Sequence, residues 1–143
     1  MNISRRDFGL LLPTLAATGI ATAQTRSLPS KTYAFDDLAV RNNGANKSRA
    51  VLDGNTHGDF PVELHITELA PSLAPHPPHH HTHEEMIMIH EGMLEVTIAG
   101  HSTKLGPGSV AYVASNEEHG WRNVGTTRAQ YFVLALGREN ARS

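Results

Sequence analysis

The sequence contains no cysteine, which excludes disulfide bonds, thiolate metal ligands and a thiol nucleophile together. It also lacks an apolar run long enough to span a bilayer; the longest one lies at the N-terminus and is too short. Neither charge dominates, because the formal net charge of the 143 residues is -2, and nothing in the composition suggests a nucleic acid or an anionic membrane surface as partner. A chain of this length forms one domain at most.

The N-terminus has the three-part pattern of an export signal. Arg5-Arg6 precede Phe8, a weakly apolar run follows, and Ala21-Thr22-Ala23 supplies a small-residue cleavage site. This order resembles a twin-arginine signal. The resemblance implies a bacterial protein that is exported to the periplasm already folded, often with a cofactor loaded in the cytoplasm. The alternative is an amphipathic helix of the mature fold.

From residue 60 onward the sequence alternates in the manner of β-strands. Val62, Leu64 and Ile66 recur at period two, and further short apolar runs follow at about ten-residue spacing, separated by glycine and proline turns. Many short strands without a helical period favour a closed all-β architecture. We expect a signal at 1–23, a polar segment with edge strands near Tyr33-Ala34-Phe35 and Val51-Leu52 at 24–59, a β-barrel domain at 60–138 and a tail at 139–143.

Histidine is abundant, with ten in the chain and six of them between positions 76 and 90. On a strand, His79, His81 and Glu85 have the same parity and share one face, with aliphatic residues deeper along it. A barrel with a metal near its mouth needs such a face. The alternative without a metal is a solvated histidine run. His76 and His90 are expected at the surface or in turns, whereas three neighbours remain alternative ligands: His83, and His80 with Glu84.

The opposite face of the same segment carries Met86 and Met88, which would meet water in an isolated barrel. Either the N-terminal segment or a second subunit covers them. We favour the second subunit and expect a homodimer.

The histidine-rich segment resembles the first part of the two-part cupin signature. His79-x-His81 is followed after three residues by Glu85, and after six more residues by Gly92. His80 with Glu84 would not reproduce the six-residue gap. The resemblance extends over about residues 60–136 and implies a single-domain cupin jelly-roll β-barrel.

The second part of the signature lies downstream, where Gly106-Pro107-Gly108 forms a turn and His119 is followed after three residues by Asn123. Pro107 is shifted by one position from the usual pattern, which alters the turn and no ligand. The alternative for His119, taken without the rest of the motif, is a histidine at the surface. Trp121 has the same strand parity as His119 and is expected in the pocket wall. In the family four side chains bind one divalent metal; the resemblance places them here at His79, His81, Glu85 and His119.

Three imidazoles and a carboxylate suit Mn, Fe, Zn, Ni or Cu. Folding in the cytoplasm before export would favour Mn or Fe. The resemblance implies a metal-dependent enzyme on a small polar organic substrate, with a dioxygenase-type oxidoreductase preferred. The alternatives are a metal-dependent isomerase or hydrolase, a ligand-binding or sensing module, and a structural or storage role. No catalytic acid or base is identifiable; Tyr112, Glu84, His83 and Trp121 are possible supporting residues.

Overall fold

The computed structural model describes residues 27–138, which contain nine strands in two antiparallel sheets. The six-stranded sheet has the order β1-β2-β3-β9-β4-β7, and the three-stranded sheet has the order β6-β5-β8. The strands are β1 (Val40–Asn43), β2 (Asn46–Asn55), β3 (Pro61–Leu69), β4 (Glu84–Glu91), β5 (Leu94–Ile98), β6 (His101–Leu105), β7 (Val110–Val113), β8 (His119–Asn123) and β9 (Ala129–Leu136).

Two facing antiparallel sheets of this kind fit a jelly-roll β fold, so the predicted fold class is confirmed. The predicted signal at 1–23 and the predicted tail at 139–143 lie outside the described residues. Between residues 27 and 138 there is no helix of the length and hydropathy that crossing a membrane requires.

The core follows the period-two pattern that the sequence predicts. In β4, Glu85, Ile87 and Ile89 are buried, while Met86 and Met88 between them are only partly buried. The strand β9 alternates in the same way and sends its odd-numbered residues into the core between the two sheets. Burial of one face per strand is what fixes the register, because a slip by one residue would expose the whole apolar set.

The N-terminal part differs from the prediction at one place. Val51 and Leu52 lie in a strand, as expected, but Tyr33 and Phe35 do not; a short 3-10 helix spans Phe35–Asp37 instead. The Phe35 ring packs under the Arg49 guanidinium, 4.3 Å from the ring centroid, so side-chain packing rather than strand pairing holds this segment. The long strand β2 pairs with β3, and the sheet therefore extends N-terminal to residue 60.

Two motif residues without metal-binding chemistry have clear structural tasks. Gly92 has a φ of 83°, and a Cβ there would lie 2.6 Å from the Cα of Ala129, so only glycine fits. Asn123 is fully buried, and its side-chain amide donates hydrogen bonds to the carbonyls of Leu69 and Thr127. The Gly125 N–H donates to the Asn123 side-chain oxygen. The glycine and asparagine of the two motifs thus fix the loops that surround the core.

The outer face of the six-stranded sheet is apolar where β7, β4 and β9 meet. Val110 and Tyr112 are 54% and 48% exposed. They pair directly with Met88 and Met86, which in turn pair with Phe132 and Leu134. The described N-terminal segment covers a different part of this face, because the Leu28 side chain packs on Gly54 of β2. We call the six residues the outer patch: Met86, Met88, Val110, Tyr112, Phe132 and Leu134.

Candidate metal centre

The two parts of the signature meet through a single β-bridge. His79 pairs with His119, the first residue of β8, and their backbones exchange two hydrogen bonds of 3.0 and 2.9 Å. His79 and His81 were expected on one strand with Glu85, which is wrong: β4 begins only at Glu84, and the chain bends at residues 82 and 83. The bend, rather than strand parity, turns the His81 ring toward Glu85.

Four buried side-chain atoms of this cluster lack a hydrogen-bond partner: His79 Nδ1, His81 Nε2, Glu85 Oε2 and His119 Nε2. No other buried side-chain nitrogen or oxygen atom of the described residues lacks a hydrogen-bond partner. Leaving one such atom unpaired costs about 1–3 kcal/mol. Four of them in one cluster are therefore a strong physical argument for a bound cation.

The distances agree with this argument. Glu85 Oε2 lies 3.4 Å from His81 Nε2 and 3.2 Å from His119 Nε2, close contacts that do not have the geometry of a hydrogen bond. His79, His81 and His119 each offer a nitrogen within 4.8 Å of the other two. The structure thus brings together all four residues that the cupin resemblance implied as ligands, with Glu85 on the side of His81 and His119.

Backbone carbonyls fix which nitrogen of two rings is available. His81 Nδ1 lies 2.8 Å from the His83 carbonyl oxygen, and His119 Nδ1 lies 2.8 Å from the Glu117 carbonyl oxygen. Because a carbonyl only accepts, each Nδ1 carries the hydrogen and each Nε2 keeps its lone pair for the interior of the cluster. Backbone carbonyl groups therefore orient these two rings for coordination.

The ring planes separate ligands from neighbours. The rings of His79, His81 and His119 are tilted by 50–70° to one another, so their in-plane lone pairs can converge on one point. His83 also lies within 4.8 Å of His81 and Glu85, but its ring stacks on His81 at 3.6 Å with an interplanar angle of 10°. Nearly parallel planes do not meet within the roughly 2 Å of a metal–nitrogen bond. His83 therefore cannot share a metal with His81 in this arrangement.

The other alternative ligands lie away from the cluster. His80 is exposed, and the Glu84 carboxylate accepts a hydrogen bond from the Tyr112 hydroxyl on the outer face, which raises the pKa of Tyr112. His76 and His90 are exposed, as the sequence predicted. The His76 ring nevertheless contacts the His79 ring edge-on, at 4.2 Å between centroids.

Burial lowers the pKa of His79 below its ordinary value, and repulsion from the protonated forms of His76, His119 and His81 lowers it further, against the opposing effect of Glu85. This shift favours the neutral imidazole, which is the form that binds metals. The residues present thus fit a divalent transition metal in number and in donor type.

A buried pair of aromatic residues supports the cluster from behind. Trp121 stacks on His119 at 5.7 Å, and its indole Nε1–H donates a 2.7 Å hydrogen bond to the Tyr131 hydroxyl. Burial raises the pKa of the Tyr131 phenol well above its ordinary value, so the phenol stays neutral. Sequence reasoning missed Tyr131; the inward parity of β9 was the signal that could have found it.

A cavity of about 240 Å³ is lined by residues that include His119 and Trp121, together with His76 and Pro78 of the preceding loop. The Arg122 guanidinium in its lining forms a 3.0 Å ion pair with Glu95, and these two residues lie on the face of β5 and β8 opposite to His119 and Trp121.

Comparison with known proteins agrees with the fold and the motifs. Residues 65–135 match the family model described as "Cupin domain". No curated protein sequence gives a significant match. Among solved structures, KdgF from Halomonas sp. is 14% identical with a TM-score of 0.68, and the alignment covers 78% of this chain and 97% of that one.

Two further structures show the same fold. An RmlC-like cupin from Shewanella frigidimarina NCIMB 400 is 18% identical with a TM-score of 0.63, covering 78% of this chain and 95% of that chain. The polyketide cyclase RemF from Streptomyces resistomycificus is 20% identical with a TM-score of 0.62, covering 79% and 83%. The motifs and the family-model match over residues 65–135 support the assignment of this segment to the cupin superfamily, and the solved structures show the same fold.

Proposed function

We propose that this protein is a metal-dependent enzyme that acts on a small polar organic molecule at a single divalent transition metal. The four buried donor atoms without a hydrogen-bond partner carry the proposal. His79, His81, Glu85 and His119 hold the metal. The metal supplies a Lewis acid and a template for substrate or O2.

The surrounding residues orient the site and shape its pocket. The carbonyls of His83 and Glu117 hold two imidazoles with Nε2 inward. Trp121 forms an apolar wall behind His119 and beside the cavity, which favours a substrate with a planar part. Tyr131 stays neutral and fixes the indole through its hydroxyl.

We prefer an oxidoreductase of the dioxygenase type and Mn or Fe as the metal. The metal preference rests on the proposed export route, because cytoplasmic folding gives Mn and Fe access before the more tightly binding Cu and Zn. The alternative is a metal-dependent isomerase, hydrolase or small-ligand-binding module. The cavity next to His119 supports an isomerase or hydrolase, because its lining includes the titratable residues His76 and Glu118.

The function is tested by elemental analysis of the protein made with its N-terminus intact, followed by oxygen-consumption assays with small phenols, diketones and organic acids. We expect about one Mn or Fe per chain, and oxygen uptake that His119→Ala abolishes and His80→Ala retains. One Zn or Ni per chain without oxygen uptake would support the alternative. No metal in the wild type, even after metals are added back, would overturn the metal-dependent proposal.

We also propose that residues 1–23 direct export to the periplasm by a twin-arginine route. Cell fractionation tests this, with a variant that carries both Arg5→Lys and Arg6→Lys. We expect the wild type in the periplasm and the double variant in the cytoplasm, whereas Arg41→Lys, on the exposed strand β1, leaves export unchanged. Periplasmic accumulation of the double variant would contradict the proposed route.

The outer patch supports a homodimer, because two exposed apolar residues continue a row of partly buried ones across three strands. We propose that a second copy of the chain covers it. Light scattering should give twice the chain mass for the wild type and for Asn42→Glu on β1, and the monomer mass for Tyr112→Glu. A wild type that is monomeric at micromolar concentration would contradict the dimer.

A further inference from the structure

His83 touches the metal cluster in three ways although its ring cannot share a metal with His81. Its carbonyl accepts the His81 Nδ1–H, its ring stacks on the His81 ring, and its Nε2 lies 3.6 Å from Glu85 Oε1. The other oxygen of Glu85 faces His81 and His119. One side of the carboxylate thus faces His83, and the opposite side faces the metal-binding nitrogens.

A carboxylate ligand can bind a metal through one oxygen or through both, and the second mode occupies an additional coordination position. A positive or N–H group held beside one oxygen favours the one-oxygen mode, because that oxygen is attracted away from the metal. His83 Nε2 is the group that lies beside Glu85 Oε1.

We propose that His83 is a positioning residue that makes Glu85 bind the metal through Oε2 alone and so keeps a coordination position open for substrate. This inference rests on the proposed metal site. The third histidine of the His79-x-His81-x-His83 run thus has a positioning role, whereas His79 and His81 are ligands. Substitution leaves the His83 carbonyl in place, so the hydrogen bond that orients the His81 ring does not depend on the His83 side chain.

Two substitutions separate the contributions of the ring and of the donor. His83→Phe keeps an aromatic ring to stack on His81 but removes the nitrogen that faces Glu85. His83→Gln removes the ring but can place an amide N–H near the position of Nε2. His80→Ala is the matched control, since His80 is exposed in the same segment.

The experiment measures the affinity and visible absorption of the cobalt-substituted full-length protein, because cobalt absorption reports coordination number. We expect His83→Phe to change the metal affinity about 10- to 100-fold, the usual effect of losing a group that orients a ligand. We expect its absorption to shift toward higher coordination. His83→Gln should restore the wild-type spectrum, and His80→Ala should match the wild type throughout.

Equal spectra and affinities for the wild type and His83→Phe would overturn the inference, and so would a His83→Gln spectrum that shifts as the His83→Phe spectrum does. If His83→Phe does not fold, His83→Ala takes its place, and its effect in wild-type and Glu85→Gln backgrounds decides. A spectral effect of His83→Ala that persists at full size without the Glu85 carboxylate contradicts positioning, and its loss supports it. A wild type that binds no cobalt or other metal would instead overturn the proposed function itself.

Discussion

Removal of one imidazole from the metal cluster should affect stability only when metal is present. The test variant is His81→Ala, and the control is His80→Ala, which truncates an exposed histidine one position away. In the metal-free protein the His81→Ala change removes a hydrogen bond to the His83 carbonyl, worth about 1 kcal/mol. It also removes a buried Nε2 that has no partner, which relieves about 1–3 kcal/mol. These two effects oppose each other.

The metal-bound protein has no such compensation. A metal at one hundred times its dissociation constant stabilises the native state by about 2.7 kcal/mol. A domain of this size changes its melting temperature by about 4 °C per kcal/mol. The wild type should therefore melt about 10 °C higher with metal than with a chelator, whereas His81→Ala should respond little to either.

The assay is thermal unfolding followed by circular dichroism, with elemental analysis of the same samples. His80→Ala should keep both the metal and the full chelator response. The reasoning is refuted if His81→Ala lowers the melting temperature equally with and without chelator, since the side chain would then act through packing alone. Retention of metal by His81→Ala would remove this residue from the ligand set.

Three further changes test other parts of the structure. Glu68→Gln should destabilise the protein by about 3–5 kcal/mol at pH 7, because two arginines pair with the buried Glu68 carboxylate. Burial raises the pKa of Glu68, but the two arginines lower it, and the pKa lies below its ordinary value as a result. The wild-type carboxylate contributes stability above its unfolded pKa of 4.5, and this contribution is lost as pH falls through the lower folded pKa. The variant should therefore lose less stability in acid than the wild type. Urea titrations at several pH values measure this difference. Tyr131→Phe should cost about 1–3 kcal/mol and shift the fluorescence of Trp121, the single tryptophan, whose Nε1–H loses its acceptor. Gly92→Ala should reduce soluble yield, because its Cβ would meet the backbone of Ala129.

Each of these three changes has a matched control. Glu118→Gln alters an exposed carboxylate and should leave the acid profile unchanged. Tyr33→Phe removes a hydroxyl from a residue outside the core cluster that contains Trp121 and should leave the fluorescence unchanged. Gly100 has a φ of 79° but open space around its Cβ position, so Gly100→Ala bears the backbone strain without the clash and should fold better than Gly92→Ala. Equal effects of a change and its control would contradict the corresponding explanation.

Local sequence pattern was sufficient for much of this protein. Period-two alternation predicted the strands and their buried faces, because a half-buried sheet requires apolar residues on every second position. The resemblance to the two-part cupin signature implied the set His79, His81, Glu85 and His119, and these side chains lie close together in the structure.

Local backbone conformation and contacts between distant segments decided the rest. The bend at residues 82 and 83, the stacking of His83 on His81 and the carbonyl groups that select the nitrogens of His81 and His119 are local features that spacing does not reveal. Tyr131 is 10 residues from Trp121 on a strand of the other sheet, and only the packing of the two sheets against each other brings its hydroxyl to the indole. The sequence alone thus determined which donor groups are available, since the identity and spacing of these residues belong to short segments of the chain. The tertiary structure decided which of them converge, since the bridge between His79 and His119 joins two segments that lie far apart in the chain.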